Sequence, residues 1–198
     1  MNGIIAILRG VVPDEVLPMG RVLESCGVGC IEVPLNSPHA FASIEALARE
    51  FGARLKVGAG TVMTAAQVNR VADAGAQLVL SPHLDADVVH QTKARGLYSM
   101  PGVATPTEGF AALRAGADAL KLFPSELLGT AALRAWAAVL PAGTPMFSVG
   151  GIDVDNIGAF KAAGASGVGV GSSLYVPGMA VDELASRARA LIARWSAA

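Results

Sequence analysis

Arg114-Ala115-Gly116-Ala117-Asp118-Ala119-Leu120-Lys121-Leu122-Phe123 runs from a helical pattern, through a small turn, into a short apolar stretch. The same phrase recurs as ESCGVGCIEV from Glu24, DAGAQLVL from Asp73 and KAAGASGVGV from Lys161. In each, a glycine can close the helix in the left-handed conformation at low steric cost. The apolar run that follows reads as a strand covered on both faces. Collecting every such run predicts strands at residues 4–9, 30–33, 56–60, 78–81, 98–102, 119–123, 146–149 and 167–170. Their starts lie about 20–27 residues apart, close to the minimum for a strand, a turn and a helix.

Helices fill the gaps, at residues 13–26, 38–51, 64–74, 85–95, 106–115, 129–139, 153–163 and 179–195. Cap chemistry marks several starts: Ser37 ahead of Pro38, Thr105 ahead of Pro106 with Glu108 following, and Asp153 after a glycine pair. Strands and helices alternating without a break in composition predict a single α/β domain over residues 1–198. Its architecture is a closed (β/α)8 TIM barrel, with an open doubly wound sheet as the alternative.

The 198 residues are 53% hydrophobic and 16% charged, with a net charge of -1. That excludes a disordered chain, which lacks apolar surface to offset its entropy. It also leaves no basic field for nucleic acid or an anionic membrane, so a small molecule is the expected client. The high apolar content implies that other copies of the chain cover part of the surface. No signal peptide is expected from the opening residues. Residues 162–181 carry no charge, but Gly164, Gly167, Gly169, Gly171, Pro177 and Gly178 argue against a membrane span there. Cys26 and Cys30 lack the spacing of a paired metal site and read as small apolar residues of a reducing cytoplasm.

A barrel places its chemistry at the C-terminal ends of its strands. Lys121 is the sharpest signal there, because alternation turns Ala119, Lys121 and Phe123 to one face of an apolar strand. Holding a lysine near pKa ~7–8 costs roughly 3–5 kcal/mol and yields a neutral amine able to form a Schiff base. The alternative is a lysine merely paired with a carboxylate. Glu32 is that candidate partner, the one carboxylate inside a predicted strand, facing inward between Ile31 and Val33. The same pair also suits imine chemistry, which needs an amine and a proton shuttle.

Arg9 ends the first strand, where a guanidinium can grip a carboxylate or phosphate or form a surface ion pair. Gly58-Ala59-Gly60-Thr61 ends the third, opening its backbone to a ligand with the Thr61 hydroxyl beside it. Gly150-Gly151 and Gly171-Ser172-Ser173 follow the seventh and eighth strands, where such barrels often bind phosphate. Of the histidines, His83 alone could face the mouth, and none has metal spacing. No nucleotide-binding loop is present. Trp136 and Trp195 read as packing residues.

These residues resemble the class I aldolases of 2-keto-3-deoxy-6-phospho-sugar acids, in gluconate and galactonate branches. The resemblance runs through residues 5–10, 31–38, 58–62, 101–108, 120–124 and 150–152. It implies a homotrimeric barrel, without metal or other cofactor, cleaving a phosphorylated keto acid to pyruvate and D-glyceraldehyde 3-phosphate. It implies Lys121 as the Schiff-base lysine and Glu32 as the general acid/base. Arg9 and Thr61 would bind the carboxylate side, Phe123 would wall the imine, and Gly150, Gly151 and Ser172 would meet the phosphate. Asn36 stands where the gluconate branch carries arginine, and Val149 where it carries threonine. Both differences favour the galactonate branch, and the missing arginine places more of the carboxylate's charge on Arg9. A gluconate enzyme, a broader pyruvate aldolase and a non-catalytic phosphate-binding barrel are the alternatives.

Overall fold

The computed structural model describes residues 3–198. Along the chain it forms β1 (Gly3–Ile7), α1 (Pro13–Ser25), β2 (Cys30–Pro34), α2 (Ala40–Phe51), β3 (Lys56–Gly60) and α3 (Ala65–Asp73). There follow β4 (Leu78–Leu80), α4 (Ala86–Ala94), β5 (Tyr98–Met100), β6 (Gly102–Val103), α5 (Pro106–Arg114) and β7 (Leu120–Leu122). The last elements are α6 (Ser125–Ala137), β8 (Met146–Val149), α7 (Ile157–Ala162), β9 (Gly167–Val170) and α8 (Val181–Ala197). Every strand pair is parallel, in the order β5-β4-β3-β2-β1-β9-β8-β7-β6.

The expected strand at 98–102 is split into β5 and β6, because Pro101 has no N–H to give the ladder. The barrel still closes there. β5 bonds to β4, β6 bonds to β7, and the Lys121 N–H donates to the Pro101 carbonyl at 3.0 Å across the seam. The (β/α)8 plan therefore holds with its fifth strand in two pieces.

Helix starts depart from expectation for local reasons. Ser37 does not cap α2. Its hydroxyl accepts from the Gly10 N–H at 2.9 Å, tying the loops after β1 and β2 together, and α2 begins after His39 at φ 48. α6 starts at Ser125, four residues early, but breaks at Gly129 (φ 67, ψ 178). α7 is short because Asp153 accepts from the Asp155 and Asn156 amides in a turn of its own. The capping box at Thr105 and Glu108 forms as read.

Two apolar layers result. Strand residues facing out, such as Ile31, Val33, Val79, Leu120 and Val168, join the buried faces of the helices. Gly20 lets α2 close on α1, since a Cβ there would stand 2.6 Å from the Phe51 ring. Inside the barrel, Ile5, Cys30, Leu78, Leu80, Met100, Ala119 and Phe147 plug the lower end. Two residues further along β2 and β7, the same inward face carries Glu32 and Lys121. The polar pair thus sits on an apolar floor, at the end where the strands run out. Trp136 is buried in the outer layer and Trp195 packs against it. Among the described residues no helix is long and apolar enough to cross a membrane.

Candidate active site

Lys121 is 7% exposed and Glu32 2% exposed. Among the described residues no carboxylate lies within ion-pairing distance of the Lys121 ammonium. Its close neighbour is instead the Phe123 ring, with Nζ 4.5 Å from the centroid. Burial pushes the Lys121 amine below its ordinary range; the Arg9 charge adds to the fall and the Glu32 charge opposes it. Burial pushes the Glu32 carboxyl up to about 7, against the pull of Lys121 and Arg9. Its Oε2 is buried with no hydrogen-bond partner among the described residues. A simple structural ion pair would hold the two groups in contact, which is not this arrangement.

Above the pair opens a cavity of about 280 Å³. Its wall gathers Arg9, Phe123, Val149, Gly150, Gly151, Gly171, Ser172 and Ser173, eight positions singled out in the sequence. Gly150 and Gly151 take φ values of 101° and 68°, a conformation that favours glycine. Ser173 Oγ donates to the Ile152 carbonyl at 2.6 Å, locking the loops after β8 and β9 together. Among the described residues the N–H groups of Gly151, Ser172 and Ser173 donate to no protein acceptor. Three free amides on one wall suit an anion.

Five sequence candidates lie off that wall. Lys121 and Glu32 sit deeper in the barrel. Asn36 accepts from the Arg9 guanidinium at 2.6 Å, so Arg9 is held by an amide rather than by an ion pair. Thr61 follows β3 at φ 57, a left-handed backbone unusual for a β-branched residue and a mark of strain at a site. His83 is exposed and off the wall. Conversely, Ile7, Ile152, Asp153 and Gly169 line the cavity without having been singled out as site residues. Ile7 and Gly169 were within reach of inward alternation along β1 and β9. Asp153 carried only a helix-cap signal.

A buried amine and a carboxyl raised to about 7, set in one barrel mouth below an anion-friendly wall, suit a class: barrels equipped to bond covalently to a carbonyl. A family model narrows the class. The model for KDPG and KHG aldolase matches residues 2–186, and the chain belongs to that family. It is similar to "2-dehydro-3-deoxy-6-phosphogalactonate aldolase" of Escherichia coli (strain K12), at 42% identity over 96% of this chain and 92% of the relative. A solved structure described as "Native KDPGal structure" superposes with a TM-score of 0.96 at 40% identity, covering 98% of this chain and 94% of that one. KDPG aldolase from Legionella pneumophila, solved with pyruvate captured as a covalent carbinolamine intermediate, matches at 26% identity and a TM-score of 0.82, covering 99% and 93%.

Proposed function

We propose that this chain is a class I aldolase that cleaves 2-dehydro-3-deoxy-6-phosphogalactonate to pyruvate and D-glyceraldehyde 3-phosphate through a Schiff base on Lys121. The observation that carries it is a buried amine, lowered in pKa and free of any carboxylate contact, beside a carboxyl that titrates near neutrality.

Uncharged Nζ adds to the C2 ketone; the carbonyl oxygen takes a proton from Glu32 and the nitrogen returns one to the Glu32 carboxylate, giving the carbinolamine. A second proton from Glu32 lets the hydroxyl leave as water, and the iminium forms. Glu32 as carboxylate then removes the C4 hydroxyl proton. That oxygen becomes the aldehyde, the C3–C4 pair flows into the iminium, and D-glyceraldehyde 3-phosphate departs. Protonation of the enamine at C3, followed by hydrolysis, frees pyruvate and Lys121. A carboxyl with a pKa of about 7 has both forms populated at neutral pH, as alternate donation and acceptance require.

In this reading Arg9, steadied by Asn36, and Thr61 bind the substrate carboxylate, while Phe123 walls the imine. Gly150, Gly151, Gly171 and Ser172 hold the phosphate. Val149 supports the galactonate epimer, because a methyl stands where a hydroxyl would be needed to recognise the other C4 configuration. The name of the Escherichia coli relative supports the same choice. We extend the reading to a cytoplasmic homotrimer. Free Cys26 and Cys30 suit a reducing compartment, and Leu127, 80% exposed, and Val139, 57% exposed, suit cover by another copy.

Borohydride reduction in the presence of pyruvate, followed by peptide mass mapping, tests the covalent route. A pyruvyl adduct on the Lys121 peptide is expected, and its absence overturns the reading. Steady-state assays on both epimers are expected to show the higher kcat/KM for the galactonate; equal or reversed efficiencies reject the substrate assignment.

A further inference from the structure

Gly60 ends β3 at a place where any side chain would first meet the Glu32 carboxyl. A Cβ built there would stand 1.9 Å from Glu32 Oε2 and 2.5 Å from both Cδ and Oε1, and its three nearest atoms all belong to that carboxyl. The backbone beneath is tied into the sheet. Gly60 is in register with Pro34, and its carbonyl accepts from the Leu35 N–H at 2.8 Å. Its φ is outside the left-handed region, so alanine meets no backbone strain there. The next residue, Thr61, turns the chain sharply away at φ 57. Gly58, two residues earlier, has an unrelated reason to be small: its Cβ would meet Leu78 Cδ2 at 2.4 Å.

We propose that Gly60 is a positioning residue for the acid–base group: its bare backbone forms the hollow in which the Glu32 carboxyl seats, and this seat keeps that carboxyl out of contact with Lys121. The proposal rests on the reading of Glu32 given above and adds the element that sets where its charge lies. Cβ atoms on this face of β3 point into the barrel. Filling the hollow therefore drives the carboxyl off the wall toward the lumen. The charged and titratable groups acting on it there are Lys121 and Arg9, with the Cys30 thiol beneath on the same strand. A carboxylate brought nearer to Lys121 favours the ammonium and suppresses the nucleophile.

The test compares wild type, Gly60→Ala, Glu32→Asp, the double variant Gly60→Ala/Glu32→Asp, and Gly58→Ala as a control on the same strand. The readout is the rate of pyruvate trapping by borohydride as a function of pH, with turnover measured alongside. Gly60→Ala is expected to slow trapping at pH 7 by about 10-fold or more and to move the profile about one unit to higher pH. Aspartate is one methylene shorter, by about 1.5 Å, and clears the added methyl. The double variant is therefore expected to match Glu32→Asp alone, a strongly non-additive result. Gly58→Ala is expected to leave the profile in place. Should Gly60→Ala fail to fold, circular dichroism of Gly60→Ala/Glu32→Ala decides: recovery supports the seat, and continued unfolding overturns it. Turnover lost in Glu32→Gln but kept in Gly60→Ala, with an unshifted profile, overturns the role of Gly60 alone. Turnover kept in Glu32→Gln overturns the acid–base reading and this proposal with it.

Discussion

Replacing Glu32 by glutamine removes a buried charge that the fold tolerates at a cost, and the cost can be read as a pH dependence. The carboxyl moves from an ordinary 4.5 to about 7 because burial disfavours the anion. Between those values the folded chain binds more protons than the unfolded one, so stability falls as pH rises and levels off above about 7. The difference of about 2.5 units, at about 1.36 kcal/mol each, sets a ceiling of about 3 kcal/mol. The pull of Lys121 and Arg9 is already contained in that value, and relaxation around a buried charge brings the expected figure below the ceiling. Burying an unpaired amide costs about 1–3 kcal/mol, but equally at every pH. Urea unfolding at a fixed protein concentration from pH 4 to pH 8 is therefore expected to show the glutamine variant gaining about 2 kcal/mol on wild type across the range. The gain should fall between about pH 4.5 and 7. A gap independent of pH, or one moving against the variant as pH rises, refutes the reasoning. The second outcome is what a carboxylate held in an ion pair with Lys121 would give.

Lys121→Met is expected to abolish borohydride trapping and to cut turnover at least about 1,000-fold, read by coupled pyruvate detection. Val149→Thr keeps side-chain shape at a wall position and adds one hydroxyl, so the ratio of kcat/KM for gluconate over galactonate should rise about 10-fold. Asn36→Ala frees the Arg9 guanidinium from its 2.6 Å bond; a KM raised about 5-fold with kcat little changed is expected from steady-state kinetics. Gly151→Ala would set a Cβ 2.6 Å from Glu126 Cβ at φ 68, so KM for the phosphorylated substrate should rise about 10-fold while pyruvate trapping is unchanged.

The barrel was legible because its signal is local and repeated: a helix stripe, a glycine stop, an apolar run. The errors fell where one residue served a partner far along the chain. Ser37 looked like a helix cap and instead accepts from Gly10. Pro101 looked like the interior of a strand and instead splits it at the seam. Gly58 and Gly60 looked like an opening for ligand, yet their empty space belongs to Leu78 and Glu32.

Sequence by itself determined that Glu32 and Lys121 face inward, since side chains alternate along any strand whatever its neighbours. It also carried the family, in motifs spread over most of the chain. Tertiary structure alone decided that the two inward groups stand apart rather than paired, that Gly60 seats the carboxyl, and that the amine is lowered while the acid is raised. Those outcomes depend on burial and on distances between strands remote in sequence. Only barrel closure sets them.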